Sequence, residues 1–372
     1  MVERDAYAER ALRAHAAMEA RFRRADGLYR RDGRPHRPGA AAHLWPFARA
    51  LVATLDVIGA GDGRSEGGAV ETALDLSLRA LERYDDPAGA YASDPPGLGR
   101  RDVYYDDNAW VGLALLQLER MRPGSGWLPR VEQLYSFAAG GWDGRGDAPS
   151  PGGVFWLLQG RGLGRRNHDR NTVSTAPSAA VGLHLRELGA GCHGAPGVNP
   201  ELMYEWVNSA LDSGAGEHAP GAGPFWDKIR GDGSIDRTLW SYNQGSMVAV
   251  NVLLARGGEG AARALHLARA EAIAARALRR WSGRWESQPP AFNAILFRNL
   301  LMLHQITGDR ALRSLIVSEL RGLADLAWER WRGRGDLFSP PGAAAVTLLH
   351  QSAAVQLLAL AAWEPERYEL IA

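Results

Sequence analysis

The 372-residue sequence predicts an all-α protein, an (α/α)6 toroid or barrel of about twelve helices, on three observations. Strand signals are scarce: β-branched alternation never persists, while Ala, Leu and Arg dominate segments whose apolar residues recur at helical spacing. The connections between those segments alternate between tight and long. No fixed-period repeat of the kind that marks a helical solenoid runs through the chain, which favours the closed ring.

The helical segments begin near Glu3, Ala40, Gly68, Tyr105, Ser125, Thr172, Asn199, Leu239, Gly260, Pro290, Asp309 and Ala343, and the last ends near Trp363. The first is Arg-rich and is expected to carry a solvated face. Tight connections follow the even-numbered helices: Arg122-Pro123-Gly124, Arg256-Gly257-Gly258 and the single Gly308. Long ones, rich in Gly, Pro and Asp, precede them: Asp85 to Arg101, Gly140 to Arg170, Ser213 to Arg237, Trp281 to Pro289 and Arg332 to Gly342. In an up-down array this alternation puts every long loop on one face. The even helices then form an inner ring whose N-termini open onto that face, where long loops commonly carry function.

Composition narrows the function. Lys and Arg number 43 against 42 Asp and Glu, a net charge of +1, which argues against a broad nucleic-acid footprint or a polybasic membrane patch. Apolar residues make up 46% of the chain, ample for a globular core. The single Cys192 excludes an internal disulfide framework and a multi-cysteine zinc site. Met1 to Asp26 mixes both charge signs without a continuous apolar stretch, so no signal peptide is expected there. No apolar run approaches the roughly 18 residues that span a bilayer. A soluble, reduced, cytoplasmic monomer is expected, with residues 1–372 forming one domain.

Polar and aromatic residues gather at the inner N-termini. The second helix opens on His43-Leu44-Trp45 and the fourth on Tyr104-Tyr105-Asp106-Asp107-Asn108-Ala109-Trp110. Before the sixth stand Gly152-Gly153-Val154-Phe155-Trp156 and then Asn171-Thr172. The eighth opens on Trp240-Ser241-Tyr242-Asn243-Gln244-Gly245, and the tenth carries Phe292-Asn293. In the toroid these converge on one cavity. Aromatic faces interleaved with Asn, Gln and Asp suit an oligosaccharide, whose C–H faces stack on rings while its hydroxyls need donors and acceptors. Candidate sugar contacts are Tyr105, Asn108, Trp156, Asn171, Thr172, Trp240, Tyr242, Asn243 and Gln244.

Blander readings weigh against some of these. Most of the 13 Trp fill core, and Asn171-Thr172 or an isolated Asp-Asp pair reads as a helix cap. The flanking Tyr-Tyr and Asn-x-Trp, with the long preceding loop, tip Asp106-Asp107 towards chemistry. Gly59 to Gly68 lacks the Lys-Ser/Thr of a phosphate loop and follows no strand, and Gly160 to Gly164 fails alike. No His-Glu-x-x-His and no Gly-x-Ser-x-Gly occurs, so neither a catalytic zinc nor a serine elbow is expected. No metal or organic cofactor is predicted.

Neighbouring residues of a helix diverge and do not face each other. Asp106 and Asp107 can still flank one bond if a sugar chain crosses the helix start, at the lip of the cavity. Adjacency keeps their carboxyls within reach of the roughly 5 Å separation of retaining glycosidases, rather than the wider gap of inverting ones. The helix dipole and free N–H groups would hold one ionised, and its charge and partial burial would keep the other protonated. These considerations do not say which is which.

At this point the residues resemble a family. Tyr105-Asp106-Asp107-Asn108-Ala109-Trp110 resembles the catalytic segment of glycoside hydrolase family 76, the endo-α-1,6-mannanases. Gly152-Gly153-Val154-Phe155-Trp156 and Asn171-Thr172-Val173-Ser174 are similar to its Gly-Gly-x-x-Trp and Asn-Thr-x-Ser stretches. Trp240 to Gly245 resembles its Tyr-x-Tyr-Asn-Gln-Gly helix start. Phe292-Asn293-Ala294-Ile295-Leu296-Phe297-Arg298 and Gln351-Ser352-Ala353-Ala354 resemble its last two inner helices. The likeness runs in family order from about Leu44 to Trp363. It implies an (α/α)6 barrel and a retaining glycosidase acting on α-1,6-mannosidic linkages, with Asp106 as nucleophile and Asp107 as acid/base. Trp156, Asn171, Tyr242, Asn243 and Gln244 would line sugar subsites. Asn293-Ala294 stands where the family has Lys-Gly, and Thr175 where Asn is common.

Two other classes fit the same ring. A non-catalytic glycan-binding toroid would keep affinity without turnover. Another (α/α)6 sugar-active enzyme, epimerase or phosphorylase-like, is the second; an epimerase would be expected to use His as acid/base, and no His lies in the Asp-Asp segment.

Overall fold

A computed structural model describes residues 2–32, 40–61, 68–148, 150–214 and 221–372. Twelve α-helices occupy the described residues: α1 Val2–Phe22, α2 Leu44–Ala60, α3 Ala69–Leu81, α4 Tyr105–Met121, α5 Leu128–Gly140 and α6 Thr172–Glu187, then α7 Pro200–Ala210, α8 Ser241–Gly257, α9 Gly260–Trp281, α10 Pro290–Ile306, α11 Arg310–Leu326 and α12 Leu348–Ala362. The even helices pack in a closed ring, α2 on α4, α4 on α6, α6 on α8, α8 on α10, α10 on α12 and α12 back on α2. The odd helices lie outside, α1 against α12 and each later one against a neighbouring inner helix. The (α/α)6 barrel is thus the architecture of the chain. None of the described helices is long and apolar enough to cross a membrane.

Burial explains the two rings. Outer α11 is apolar on one stripe, burying Leu312, Ile316, Leu320 and Leu323 at helical spacing. Inner α8 is buried on all sides from Ser241 to Leu253. Such helices must approach closely, and Gly245 permits it: a Cβ there would lie 2.8 Å from Leu296 Cα of α10. The Arg-rich α1 has the solvated face expected of it, with Glu9, Leu12 and Arg13 exposed, and an opposite face turned to the core. Ala11, Ala14 and Met18 are buried, while Arg10 pairs with Asp325 at 2.7 Å.

Two predicted starts lie early. Ala42 donates its N–H to Tyr29 O at 2.8 Å, so Ala40 to Ala42 runs extended before α2. Thr347, whose Oγ1 accepts from His350 N at 3.2 Å, caps α12 and leaves Ala343 in the loop. Part of the Gly59 to Gly68 stretch, residues 62–67, lies outside the described residues.

The long loops are stitched by strands too short to leave a periodicity. β1 Asp85–Asp86 pairs with β2 Ala90–Tyr91. β3 Arg170–Asn171, β4 Lys228–Ile229 and β5 Ile235–Asp236 form an antiparallel sheet that sets Asn171 opposite Lys228. The ring's interior is closed by a buried polar network. Arg298 of α10 donates to Asp56 of α2 and Gln117 of α4, and Gln117 Nε2 reaches Asp56 Oδ1 at 3.0 Å. These partners satisfy part of what would otherwise be costly so deep in the fold, with Asp56 Oδ2 and Arg298 Nε left without a hydrogen bond.

Candidate active site

The first turn of α4 presents the two adjacent carboxylates. The chain arrives extended at Tyr104, and the Tyr105 N–H donates to Trp156 O at 3.0 Å, so the segment carrying Trp156 lies across the helix start. From there the indole Nε1–H of Trp156 donates to Asp106 Oδ2 at 3.3 Å. The other oxygen, Oδ1, is buried without a partner.

Around this turn lies a cavity of about 780 Å³. Trp110, Val173 and Ile295 form an apolar floor together with Tyr242, Trp45 and Phe292. The Phe292 ring meets Tyr242 at 3.9 Å and Trp45 at 5.9 Å between centroids. Opposite, Tyr104 packs edge-on against Trp156 at 5.2 Å. Asp94, Asp102, Asp227 and Asn171 supply further polar groups. The arrangement offers stacking faces on two sides of a carboxylate pair, with acceptors between them.

Burial sets the electrostatics. It pushes the Asp106 carboxyl up to about 7, against the stabilising N–H groups of the helix start and Trp156, and the charge of Asp227 adds to the rise. Asp107, only 9% exposed, is raised well above the ordinary carboxylate range by burial first, then by the charges of Asp106 and Asp94. Asp107 therefore sits inside the cavity wall rather than on an exposed lip, with Asp106 half-buried beside it. Asp227 is also raised by burial, and its Oδ1 accepts from Asn243 Nδ2 at 3.3 Å and from the Tyr242 hydroxyl at 3.5 Å.

Of the residues singled out in the sequence, Asp106, Asp107, Trp156, Asn171 and Tyr242 line the cavity together. Asn243 lies behind the wall, fully buried, and holds Asp227. Others serve the scaffold instead. Asn108 bonds both the N–H and the C=O of Tyr91, at 2.7 and 2.9 Å. Gln244 does the same to Phe225, at 2.8 and 2.9 Å. These amides clamp the backbone of the incoming loop as a strand partner would, which satisfies buried groups no helix can reach. Tyr105 stacks on Phe137 at 4.5 Å, the Thr172 hydroxyl donates to Trp226 O at 2.6 Å, and Trp240 packs on Phe292 outside the cavity lining. The type of residue was informative; its direction on the helix was not.

The cavity also holds residues the sequence did not single out: Asp94 and Asp102 from the loop before α4, and Asp227 and Lys228 from the loop before α8. Their one visible signal was membership of long Asp-bearing loops at the functional face. Among the described residues no group of three His, Cys, Asp or Glu is placed to hold a metal ion.

A closed ring of six helical hairpins, with aromatic walls around paired carboxylates at its inner N-termini, defines a carbohydrate-active enzyme. Comparison makes the class specific. The chain belongs to glycosyl hydrolase family 76, whose model matches residues 87–336, and is by that membership a glycosidase. Its fold is similar to a GH76 α-mannanase of Bacteroides thetaiotaomicron, at 14% identity over 96% of this chain and 95% of that one, with a TM-score of 0.77. It is similar too to an inactive α-1,6-mannanase variant of Salegentibacter sp. HEL1_6, with two adjacent aspartates changed to asparagine, in complex with α-1,6-mannotriose. There identity is 18%, coverage 96% and 99%, and the TM-score 0.72. Dfg5 of Chaetomium thermophilum in complex with glucosamine shares the fold at 17% identity, covering 98% and 91%, with a TM-score of 0.68. Among curated proteins no relative matches.

Proposed function

We propose that this glycosidase cleaves α-1,6-mannosidic linkages of manno-oligosaccharides or mannan fragments with retention, Asp106 acting as nucleophile and Asp107 as acid/base. The observation that carries the reading is the unequal setting of two adjacent carboxyls, Asp107 buried and Asp106 half-buried. Asp106 receives the helix N–H groups and the Trp156 indole, which favour its anion, whereas Asp107 faces the charges of Asp106 and Asp94, which favour its acid. This asymmetry supports an order of roles that residue chemistry alone left open.

In the first step a sugar seated on the aromatic floor presents C1 to Asp106, whose carboxylate attacks it. The C1–O bond breaks as Asp107 gives its proton to the departing oxygen, leaving a glycosyl ester on Asp106 and an anionic Asp107. Asp107 then takes a proton from water, the hydroxide attacks C1, and the ester bond breaks to return the Asp106 carboxylate. The chain is read as one catalytic unit acting as a monomer. The Salegentibacter neighbour, inactive after both of its adjacent aspartates were changed and holding α-1,6-mannotriose, supports the linkage and the pair.

Incubation with α-1,6-manno-oligosaccharides of graded length, with products separated by chromatography, tests the reading. Shorter manno-oligosaccharides are expected. Intact substrates of every length after incubation with folded protein would sink it.

A further inference from the structure

Asp107 is fastened to a second loop with a carboxylate of its own. Asn108 binds the Tyr91 backbone at 2.7 and 2.9 Å, so the chain leading to Asp94 is clamped to the turn that bears Asp107. Further on, Ser93 N–H donates to Asp102 O at 2.7 Å and Ser93 O accepts from Leu44 N at 2.9 Å. Asp94 is 4% exposed and its carboxyl is held on several sides. Ser93 Oγ donates to Oδ2 at 2.9 Å, and His43 Nδ1 lies 2.7 Å from Oδ1. The backbone of Gly99 closes over it: a Cβ there would be 2.1 Å from Asp94 Cγ.

The imidazole is itself oriented. Arg31 contacts His43 Nε2, and a guanidinium can only donate. Arg31, His43 and Asp94 thus stand in a row that ends on a carboxylate facing the cavity. An acidic group so elaborately held beside two others needs a purpose.

We propose that Asp94, held by Ser93 and by the Gly99 backbone that closes over it, is a positioning residue for the acid/base: it presents a fixed carboxylate to the cavity wall that Asp107 shares. This rests on the role of Asp107 given above. The direction of the effect agrees, since the charge of Asp94 contributes to the raised proton affinity of Asp107. Of the other charged groups, Arg101 donates to the Asp94 carbonyl at 3.1 Å and Arg31 contacts His43, while the rest are engaged elsewhere. On α4 itself Asp106 is the second contributor. Arg100 stands 3.6 Å from Asp102. Lys228 stands 2.9 Å from Asp169, and Asp227 is bound by Asn243. Burial raises the phenols of Tyr104 and Tyr242, which keeps both neutral through the working range.

The test compares kcat/KM against pH for wild type, Asp94→Asn and Asp94→Glu on an α-1,6-manno-oligosaccharide, after melting curves show folded protein. In Asp94→Asn the alkaline limb should move to lower pH by roughly one unit, because a like charge near the acid has gone. KM should change little, and Asp94→Glu should return the limb towards wild type. An activated aryl mannoside, which needs little protonation, should show no such displacement in its first step. Should the Asn variant not fold, Asp94→Ser, which leaves room for water beside Ser93, is read the same way. An unmoved alkaline limb with uniformly reduced kcat means a structural role only and overturns the inference. Asp107→Asn is run alongside. If it loses activity equally on natural and activated substrates, the acid/base role itself fails and takes this inference with it.

Discussion

The indole nitrogen of Trp156 lies 3.3 Å from Asp106 Oδ2, across a sequence separation of 50 residues. The same tryptophan accepts the Tyr105 N–H through its carbonyl, at 3.0 Å, so main chain and side chain together fix it against the helix start. Its N–H stabilises the ionised carboxyl. Trp156→Phe keeps an aromatic face but removes that donor, so Asp106 should hold its proton to higher pH. The acid limb of kcat/KM, expected near the value of about 7 to which Asp106 is pushed, should move upward, with a loss of about tenfold at neutral pH. A pH profile on a manno-oligosaccharide reads both effects, and an unshifted limb would contradict the contact's role.

Asp106→Asn and Asp107→Asn should fail differently. Without the nucleophile no glycosyl-enzyme forms, so natural and activated substrates suffer alike. Without the acid, an activated aryl mannoside should still complete the first step, and added azide should rescue the second with a product of retained configuration. Steady-state rates on the two substrates, with NMR of the azide product, decide it. Equal losses for both variants on both substrates would refute the assigned roles.

Stability should run opposite to activity. Both carboxyls bind protons more tightly folded than unfolded, so the folded state loses stability as pH rises from the ordinary carboxylate value of 3.8 through the raised ones. At neutral pH the pair is therefore a burden on the fold, as functional sites often are. Asp107→Asn should melt roughly 1–2 °C above wild type near pH 7.5, a gain of about 1 kcal/mol. Near pH 4, where the wild-type group is already neutral, the gap should close. Calorimetry at the two pH values checks this, and a lower melting point at pH 7.5 would count against burial as the main cause.

The amide clamps make a complementary case. Asn108→Ala or Gln244→Ala leaves a buried N–H and C=O of Tyr91 or Phe225 without their side-chain partners. Each should cost about 2–4 kcal/mol of stability. For Gln244→Ala, at temperatures where the protein stays folded, KM should change less than threefold, a figure on the order of 0.6 kcal/mol. Denaturant melts and steady-state kinetics separate the two effects; a large KM change with an unchanged melt would restore Gln244 to the sugar site.

Much of the fold could be read before any coordinates. Helical periodicity marked all twelve helices because burying an apolar stripe at 3.6-residue spacing is a local demand, and the loop-length alternation followed from a ring whose hairpins turn tightly at one end. The two-residue strands were invisible because pairing Asn171 with Lys228 depends on segments far apart in sequence. At the site, the motifs marked the right helix turns but not the direction of each side chain. Successive residues on a helix diverge by about 100°, so Asp106 and Asp107 meet the cavity while Tyr105 stacks on Phe137 and Asn108 grips Tyr91.

Composition and motif order were enough to establish a helical ring and an acidic pair on its functional face, because those are properties of local spacing. Which polar residues meet the cavity and which tie down the loops depended on the closed ring. Only there do Asp94, Asp227 and Trp156 arrive from distant loops beside α4. The unequal proton affinities of Asp106 and Asp107 likewise arise from burial and from neighbours brought in by folding, since desolvation and Coulomb fields depend on distance in space rather than along the chain.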